Sequence, residues 1–273
     1  MQRTMRAGEF HGVRRDTVHL QGLTLAETEY EPGHRLAPHA HERPFFSLLI
    51  RGSFRERHDR GTRQCVPTSL VFYPEHEPHE EAFGDSGGRA FHVELEEGWL
   101  ARMRAEGGLD YVAGSTETLE GRRNQLMSRL YGWFLRPGPD VSADEIALEL
   151  LGAVSPETGY GAERTRPPWL DRIVELLRER FCERVRVGEL AEEAGVHPVH
   201  LARVFRRHFG CTIGEYIRML RIERARVALV NGDQHLSSIA FATGFADQAH
   251  FTRTFKEQVG VPPGEYRKLV LER

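Results

Sequence analysis

The sequence predicts an α+β chain of two domains: a β-barrel or jelly roll with two following helices, then an all-α domain holding two helix-turn-helix units. Three observations carry this. Residues 20 to 95 alternate short β-rich runs with Gly and Pro turns. The C-terminal third contains one segment twice, LAEEAGVHPVHLARVFRRHFGCTIGEYIR from Leu190 and IAFATGFADQAHFTRTFKEQVGVPPGEYRK from Ile239. Between these regions the stretch SPETGYGAERTRPP, residues 155–168, loses periodicity and gains Gly, Pro and charge, as a linker does. The expected divisions are therefore 1–110 for the barrel, 111–154 for connecting helices, 155–168 for the linker and 169–273 for the helical domain.

With 273 residues, each domain is large enough for its own core. Charge is unevenly spread. From Arg166 onward there are 18 basic and 14 acidic residues, whereas the preceding part carries 19 and 26. A basic C-terminal part fits a module that meets a polyanion. All but two of the 37 basic residues are Arg, which favours planar, bidentate contacts. Cys65, Cys182 and Cys211 are far apart and odd in number, which argues for a reducing compartment. The N-terminus lacks the apolar core of a signal peptide and no run reaches the ~18 apolar residues of a membrane span, so a cytoplasmic protein with no membrane partner is expected.

The first domain's strands are read as Leu23 to Tyr30, Phe45 to Ile50, Ser69 to Tyr73 and Ala90 to Leu95. Among them stands Gly33, followed by Pro38-His39-Ala40-His41, then Gly52, Pro74 and His79. Side chains on a strand repeat every two residues, so His39 and His41 share a face and can reach one metal. Residues 115–135 and 142–153 read as helices that open with Ser and acidic residues, and Leu119, Leu126, Leu130, Trp133 and Phe134 form an apolar stripe on the first. Packing onto the barrel is one reading of that stripe.

In the first repeat, Leu190, Ala191 and Ala194 precede Gly195, and Pro198 restarts the chain at a first-turn position. Leu201, Val204, Phe205 and Phe209 then form a buried stripe, which turns His200, Arg203, Arg206 and Arg207 outward. In the second repeat, Phe251, Phe255 and Val259 are the stripe, leaving Gln248, Ala249, Thr252, Arg253 and Lys256 available. Arg203 and Arg253 are equivalent. Thr212 and Glu215 open the intervening helix with a capping box, and Asn231-Gly232 ends it. About 19 residues at ~1.5 Å each span ~28 Å, against ~34 Å between successive major grooves on one face of B-DNA. Two recognition helices in adjacent grooves of double-stranded DNA are the expected arrangement. Arg203, His200 and Arg207, with Gln248, Arg253, His250 and Thr252, are the candidate base readers, while Arg206, Lys256 and Lys268 are candidate phosphate contacts.

Residues Trp169 to Leu269 resemble the DNA-binding domain of the AraC/XylS family of bacterial transcription regulators. The signature I-A-x-x-x-G-F-x-x-x-x-x-F-x-R-x-F-K-x-x-x-G-x-x-P-x-x-Y-R is met from Ile239 through Arg267. Where the family often has a small hydroxyl residue before each recognition helix, this chain has His197 and Ala246, with Asp247 available as a cap. The resemblance implies a sequence-specific regulator with a promoter as partner, RNA polymerase as a second, and a homodimer formed through helices such as those of 111–154. The first domain resembles the cupins, whose first motif is G-x5-H-x-H followed by a Glu. That Glu is missing, and Phe45 or Phe46 stands in its place. His39, His41 and His79 remain as candidate ligands for Zn, Ni or Fe, with water, Glu80 or His76 completing the shell. The same region is also read as an effector pocket lined by His39, His41, Phe46, Tyr73 and His79. A metal-dependent cupin enzyme with an accessory DNA-binding domain is the alternative.

Overall fold

The computed structural model describes residues 3–20, 22–59, 61–107, 117–138, 143–154 and 166–272. The chain divides into two compact units, Met1–Leu119 and Glu120–Arg273. The expected linker, up to residue 165, lies outside the described residues.

The first unit is a curled sheet of nine strands: β1 (Arg3–Met5), β2 (Val13–Leu20), β3 (Leu23–Tyr30), β4 (Arg35–His41), β5 (Phe45–His58), β6 (Gly61–Cys65), β7 (Leu70–Tyr73), β8 (His79–Leu95) and β9 (Glu117–Leu119), with α1 (Glu97–Gly107) before the last. Two long strands organise it. β5 and β8 run antiparallel from Phe45 opposite Glu94 to His58 opposite His79. On its other edge, the first part of β8 pairs with β4 and the last part with β3. Register shifts at Leu49/Arg51 and Gly52/Phe54 bend the pair. Gly52 permits the bend: its φ is 78°, and a Cβ there would fall 1.9 Å from the Gly87 carbonyl oxygen.

All four strands read from the sequence correspond to observed strands: Leu23–Tyr30 matches β3, the third starts at Leu70 rather than Ser69, and two run further, Phe45–Ile50 continuing to His58 and Ala90–Leu95 beginning at His79. The reason is physical. Arg55, Arg57 and Glu80 occupy an outward face while Phe54, Glu56 and Phe83 point inward, so these half-strands read as polar.

The second unit is helical: α2 (Arg122–Leu135), α3 (Ala143–Val154), α4 (Pro168–Glu179), α5 (Val187–Ala194), α6 (Pro198–Phe209), α7 (Ile213–Val230), α8 (Leu236–Ala242), α9 (Gln248–Val259) and α10 (Pro263–Glu272). The helix expected over 115–135 is shorter than its sequence pattern, because Glu117–Leu119 pairs with β7 and Gly121, at φ 65°, turns the chain before α2 begins. α2 packs against α3, α9 and α10, and Leu126, Leu130 and Phe134 of the apolar stripe are buried while Trp133 stays half-buried. Gly132 allows the close approach: a Cβ there would lie 1.7 Å from the Val259 carbonyl oxygen. No helix among the described residues is long and apolar enough to cross a membrane.

Candidate functional site

The two repeats fold as expected around matching cores. In the first, Leu201, Phe205 and Phe209 are buried with Leu190, Ala191 and Tyr216. In the second, Phe251, Phe255 and Val259 are buried, and Phe255 packs edge-on against Tyr266 with ring centroids 5.5 Å apart. Gly195 and Gly244, at φ 65° and 82°, make the tight turns between helices. The N-termini of α6 and α9 are capped differently. His197 Nδ1 accepts from the Val199 N–H at 3.3 Å, whereas an Asp247 carboxylate oxygen accepts from the His250 N–H at 2.7 Å. Asp247 thus supplies the cap that Ala246 lacks.

This folding presents the candidate readers. His200, Arg203, Arg206, Arg207, Gln248, His250, Arg253 and Lys256 are exposed, and Thr252 is half-buried. Arg203 and Arg253 each stand six residues into their helices, counted from Pro198 and Gln248. None of the Arg and Lys residues among them forms an ion pair among the described residues, so their charge is available to an anionic partner. Lys268 is exposed on α10, away from both recognition helices in sequence.

α7 is the scaffold between the modules. Its capping box is present, with Thr212 Oγ1 accepting from the Glu215 N–H and the Glu215 carboxylate accepting from the Thr212 N–H at 2.7 Å. Arg221 on α7 was not singled out by sequence. Its guanidinium donates to the carbonyls of Phe181, Glu183 and Gly244 at 2.8, 3.1 and 2.6 Å. One side chain therefore ties the approach to the first module to the turn of the second. Its only signal was an Arg inside a helix with no acidic partner in register.

In the sheet, His39, His41 and His79 come together, with one ring nitrogen from each lying within 4.8 Å of the others. All three are buried. His39 Nδ1 lies 3.0 Å from the Ala37 carbonyl oxygen and His79 Nδ1 lies 3.2 Å from that of Glu77, contacts that place the proton on Nδ1 and leave Nε2 as a lone-pair donor. His41 Nδ1 has no hydrogen-bond partner among the described residues. Burial and the neighbouring imidazoles push His41 down to about 2, and burial pushes His79 down to about 3. Neutral imidazole is the ligating form, so the donor set fits a transition metal.

The surroundings differ from expectation at two places. Phe46 turns to the other face of β5 and packs against Phe72, with centroids 4.8 Å apart. Phe45 takes the inner face instead, 4.5 Å from His41 and stacked on Tyr73 at 4.6 Å. The period of two forces this choice, since Tyr73 stands opposite Phe45 in the ladder. Glu80 points outward to an ion pair with Arg57 at 2.8 Å, so it does not complete the ligand shell.

Sequence reasoning missed other members of this interior. His92 accepts from or donates to Thr28 Oγ1 at 2.7 Å and is stacked by Phe10 at 4.3 Å. Glu81, 3.5 Å from the Tyr73 hydroxyl, is raised to about 8 by burial and by the charge of Glu56. Glu56 is raised to about 7 by burial, opposed by Arg63, whose Nε lies 2.6 Å from it.

Two family models match. Residues 190–269 match a helix-turn-helix domain and residues 23–151 match an AraC-like ligand binding domain. A probable transcription factor, PqrA of Proteus vulgaris, is 36% identical over 86 residues, covering 32% of this chain and 70% of that one. The chain belongs to the AraC/XylS family of transcription regulators. The HTH-type transcriptional regulator GlxA of Rhizobium meliloti is 32% identical over 173 residues, 62% of this AraC-type chain and 52% of its own. The chain thus spans about half the length of that relative. Among solved structures, ToxT from Vibrio cholerae superposes with a TM-score of 0.40 at 12% identity, covering 91% of this chain and 99% of that one. The ligand-binding match extends through α2 and into α3, helices that pack within the second compact unit.

Proposed function

We propose that this AraC-type regulator reads two successive major grooves with α6 and α9, held apart by α7. The observation that carries this is the equivalence of Arg203 and Arg253, exposed at the same position of two matched helices and without an ion pair among the described residues. α7 has 18 residues, or ~27 Å at ~1.5 Å per residue, close to the ~34 Å groove repeat. Arg203, His200, Arg207, Gln248, His250, Arg253 and Thr252 read base edges, while Arg206, Lys256 and Lys268 hold phosphates. The protein acts in the cytoplasm at a promoter, with RNA polymerase as its second partner and a further copy of itself as a third. Footprinting on DNA upstream of its own gene tests this. Two protected segments about one helical turn apart are expected; a single segment, or none, overturns the paired reading.

The first unit is the sensor in this reading, and its histidine cluster supports a metal as the sensed or structural ligand. His39, His41 and His79 would hold Zn, Ni or Fe, and the metal would supply a Lewis-acid position for a small anion or water. Phe45, standing where a carboxylate ligand would, keeps the site short of the four protein ligands of a closed structural centre. Elemental analysis of untagged protein purified without chelators tests it. About one equivalent of metal that is lost in His41→Ala is expected, and less than about a tenth of an equivalent overturns it. Turnover assays on the metal-loaded protein separate a sensor from a cupin-type enzyme.

A further inference from the structure

A cavity of about 320 Å³ opens within the second unit, between the end of α2, the end of α9 and the start of α10. Its apolar wall is Trp133, Pro137, Val261 and Pro262, and its cations are Arg129, Arg136 and Lys256. The floor is backbone. Gly132 lets α2 touch the Val259 carbonyl, and Gly260, at φ 91°, ends α9 there.

The charges do not cancel. Arg136 donates to the Glu265 carboxylate at 2.5 Å. Arg129 and Lys256 form no ion pair among the described residues, and no aromatic ring among them packs on half-buried Trp133. The volume lies at the lower end of the ~300 to 1,000 Å³ of ligand pockets, which are apolar with a few convergent polar groups. A guanidinium matches a carboxylate in a bidentate pair, and an indole face takes a flat apolar body. The carbonyl end of α9 repels an anion that reaches it unaided, so the cations select where the acid group goes.

We propose that this cavity binds a small organic carboxylate with a flat apolar body, its ring on Trp133 and its acid group toward Arg129 and Lys256. The site is separate from the sheet interior and shares only Lys256 with the phosphate contacts proposed above. It gives this regulator a ligand position beside its second recognition helix.

The test titrates the full-length, DNA-free protein with 1-naphthoate, followed calorimetrically, beside neutral 1-naphthalenemethanol and inorganic phosphate. Saturable one-to-one binding of naphthoate is expected, at least about tenfold tighter than either control. Arg129→Gln and Trp133→Leu should each weaken it about tenfold or more, with Arg55→Ala, on the outward face of β5, unchanged. Gly138→Trp, at the rim where a Cβ meets nothing within 4 Å, should block binding without disturbing the core, so the result does not depend on Trp133→Leu folding. Absence of saturable binding overturns the proposal. So does binding that survives Arg129→Gln and Gly138→Trp, binding lost in Arg55→Ala, or phosphate binding as tightly as naphthoate.

Discussion

Arg226 Nη1 donates to the Ser128 hydroxyl at 2.7 Å, joining α7 to α2 across the interior of the second unit. The Ser128 hydroxyl in turn donates to the Asn124 backbone carbonyl at 2.8 Å, and Arg226 Nε donates to the Tyr266 hydroxyl at 3.2 Å. Arg226 is only 2% exposed. A buried guanidinium that loses an acceptor keeps its desolvation penalty. Ser128→Ala should therefore destabilise the protein by about 1 to 3 kcal/mol in urea titrations. A loss below about 0.5 kcal/mol, the range of ordinary surface changes, would show that water replaces the hydroxyl.

The same α2 docking makes a steric prediction. A Cβ on Gly132 would lie 1.7 Å from the Val259 carbonyl oxygen, a backbone atom that cannot swing aside, while one on Gly138 meets nothing within 4 Å. Gly132→Ala should cost ~1 to 3 kcal/mol or more, through forced separation of α2 from α9. Gly138→Ala should stay within about 0.5 kcal/mol of the parent. Thermal unfolding of the pair, measured side by side, checks both. Equal midpoints would mean that α2 does not dock as described.

Much of this was legible in the sequence, and the rest was hidden for identifiable reasons. The stripes Leu201, Phe205, Phe209 and Phe251, Phe255, Val259 could be read because each helix buries one face, and the Thr212–Glu215 cap because it is local. The choice between Phe45 and Phe46 could not, since adjacent phenylalanines fit either register until Tyr73 fixes it from another strand. The partner of the α2 stripe was equally hidden. An apolar stripe states that something covers it, and only the fold shows α9 and α10 doing so. Arg226 reads as one more helical Arg, and its burial depends on acceptors 98 and 40 residues away in sequence.

Capping offers a graded test of the two modules. Asp247 accepts the His250 N–H at 2.7 Å through a carboxylate oxygen, whereas His197 accepts the Val199 N–H at the longer 3.3 Å through a ring nitrogen. Asp247→Ala should cost about 1 kcal/mol, within a range of ~0.5 to 2, and His197→Ala less. Denaturant midpoints measure the difference. The reverse order would mean that Asp247 is occupied elsewhere.

The sheet interior should give metal-free protein a stability maximum near neutral pH. His41, His79 and His92 are depressed to about 2, 3 and 3 by burial, with neighbouring imidazoles adding at His41 and His79. The unfolded chain then takes up protons first as pH falls below ~6.5, so stability is lost in that direction, by up to ~1.4 kcal/mol per pH unit for each histidine. Glu56 and Glu81 act oppositely. Burial raises them to about 7 and 8, so their contribution is complete below the unfolded carboxylate range and lost as pH rises through those values. Urea midpoints should peak near pH ~6.5 and fall on both sides. A profile flat from pH ~5 to ~8 would mean that water enters this interior.

Arg203 should separate reading from holding. It is exposed, has no ion pair among the described residues, and its Nη2 lies 3.4 Å from His200 Nδ1, so both side chains project from one patch of α6. A bidentate Arg–guanine contact contributes ~1 to 3 kcal/mol of discrimination, whereas a phosphate contact contributes on every sequence. Arg203→Ala should weaken binding to the footprinted site by roughly 5- to 150-fold while leaving affinity for random DNA nearly unchanged. Arg206→Ala should lower both alike and reduce the salt dependence of log K by about one phosphate's share, ~0.9. Titrations of both variants on both DNAs at several salt concentrations decide the matter. Equal loss on the two DNAs for Arg203→Ala would make it a phosphate contact and shift sequence reading in this module to His200 and Arg207.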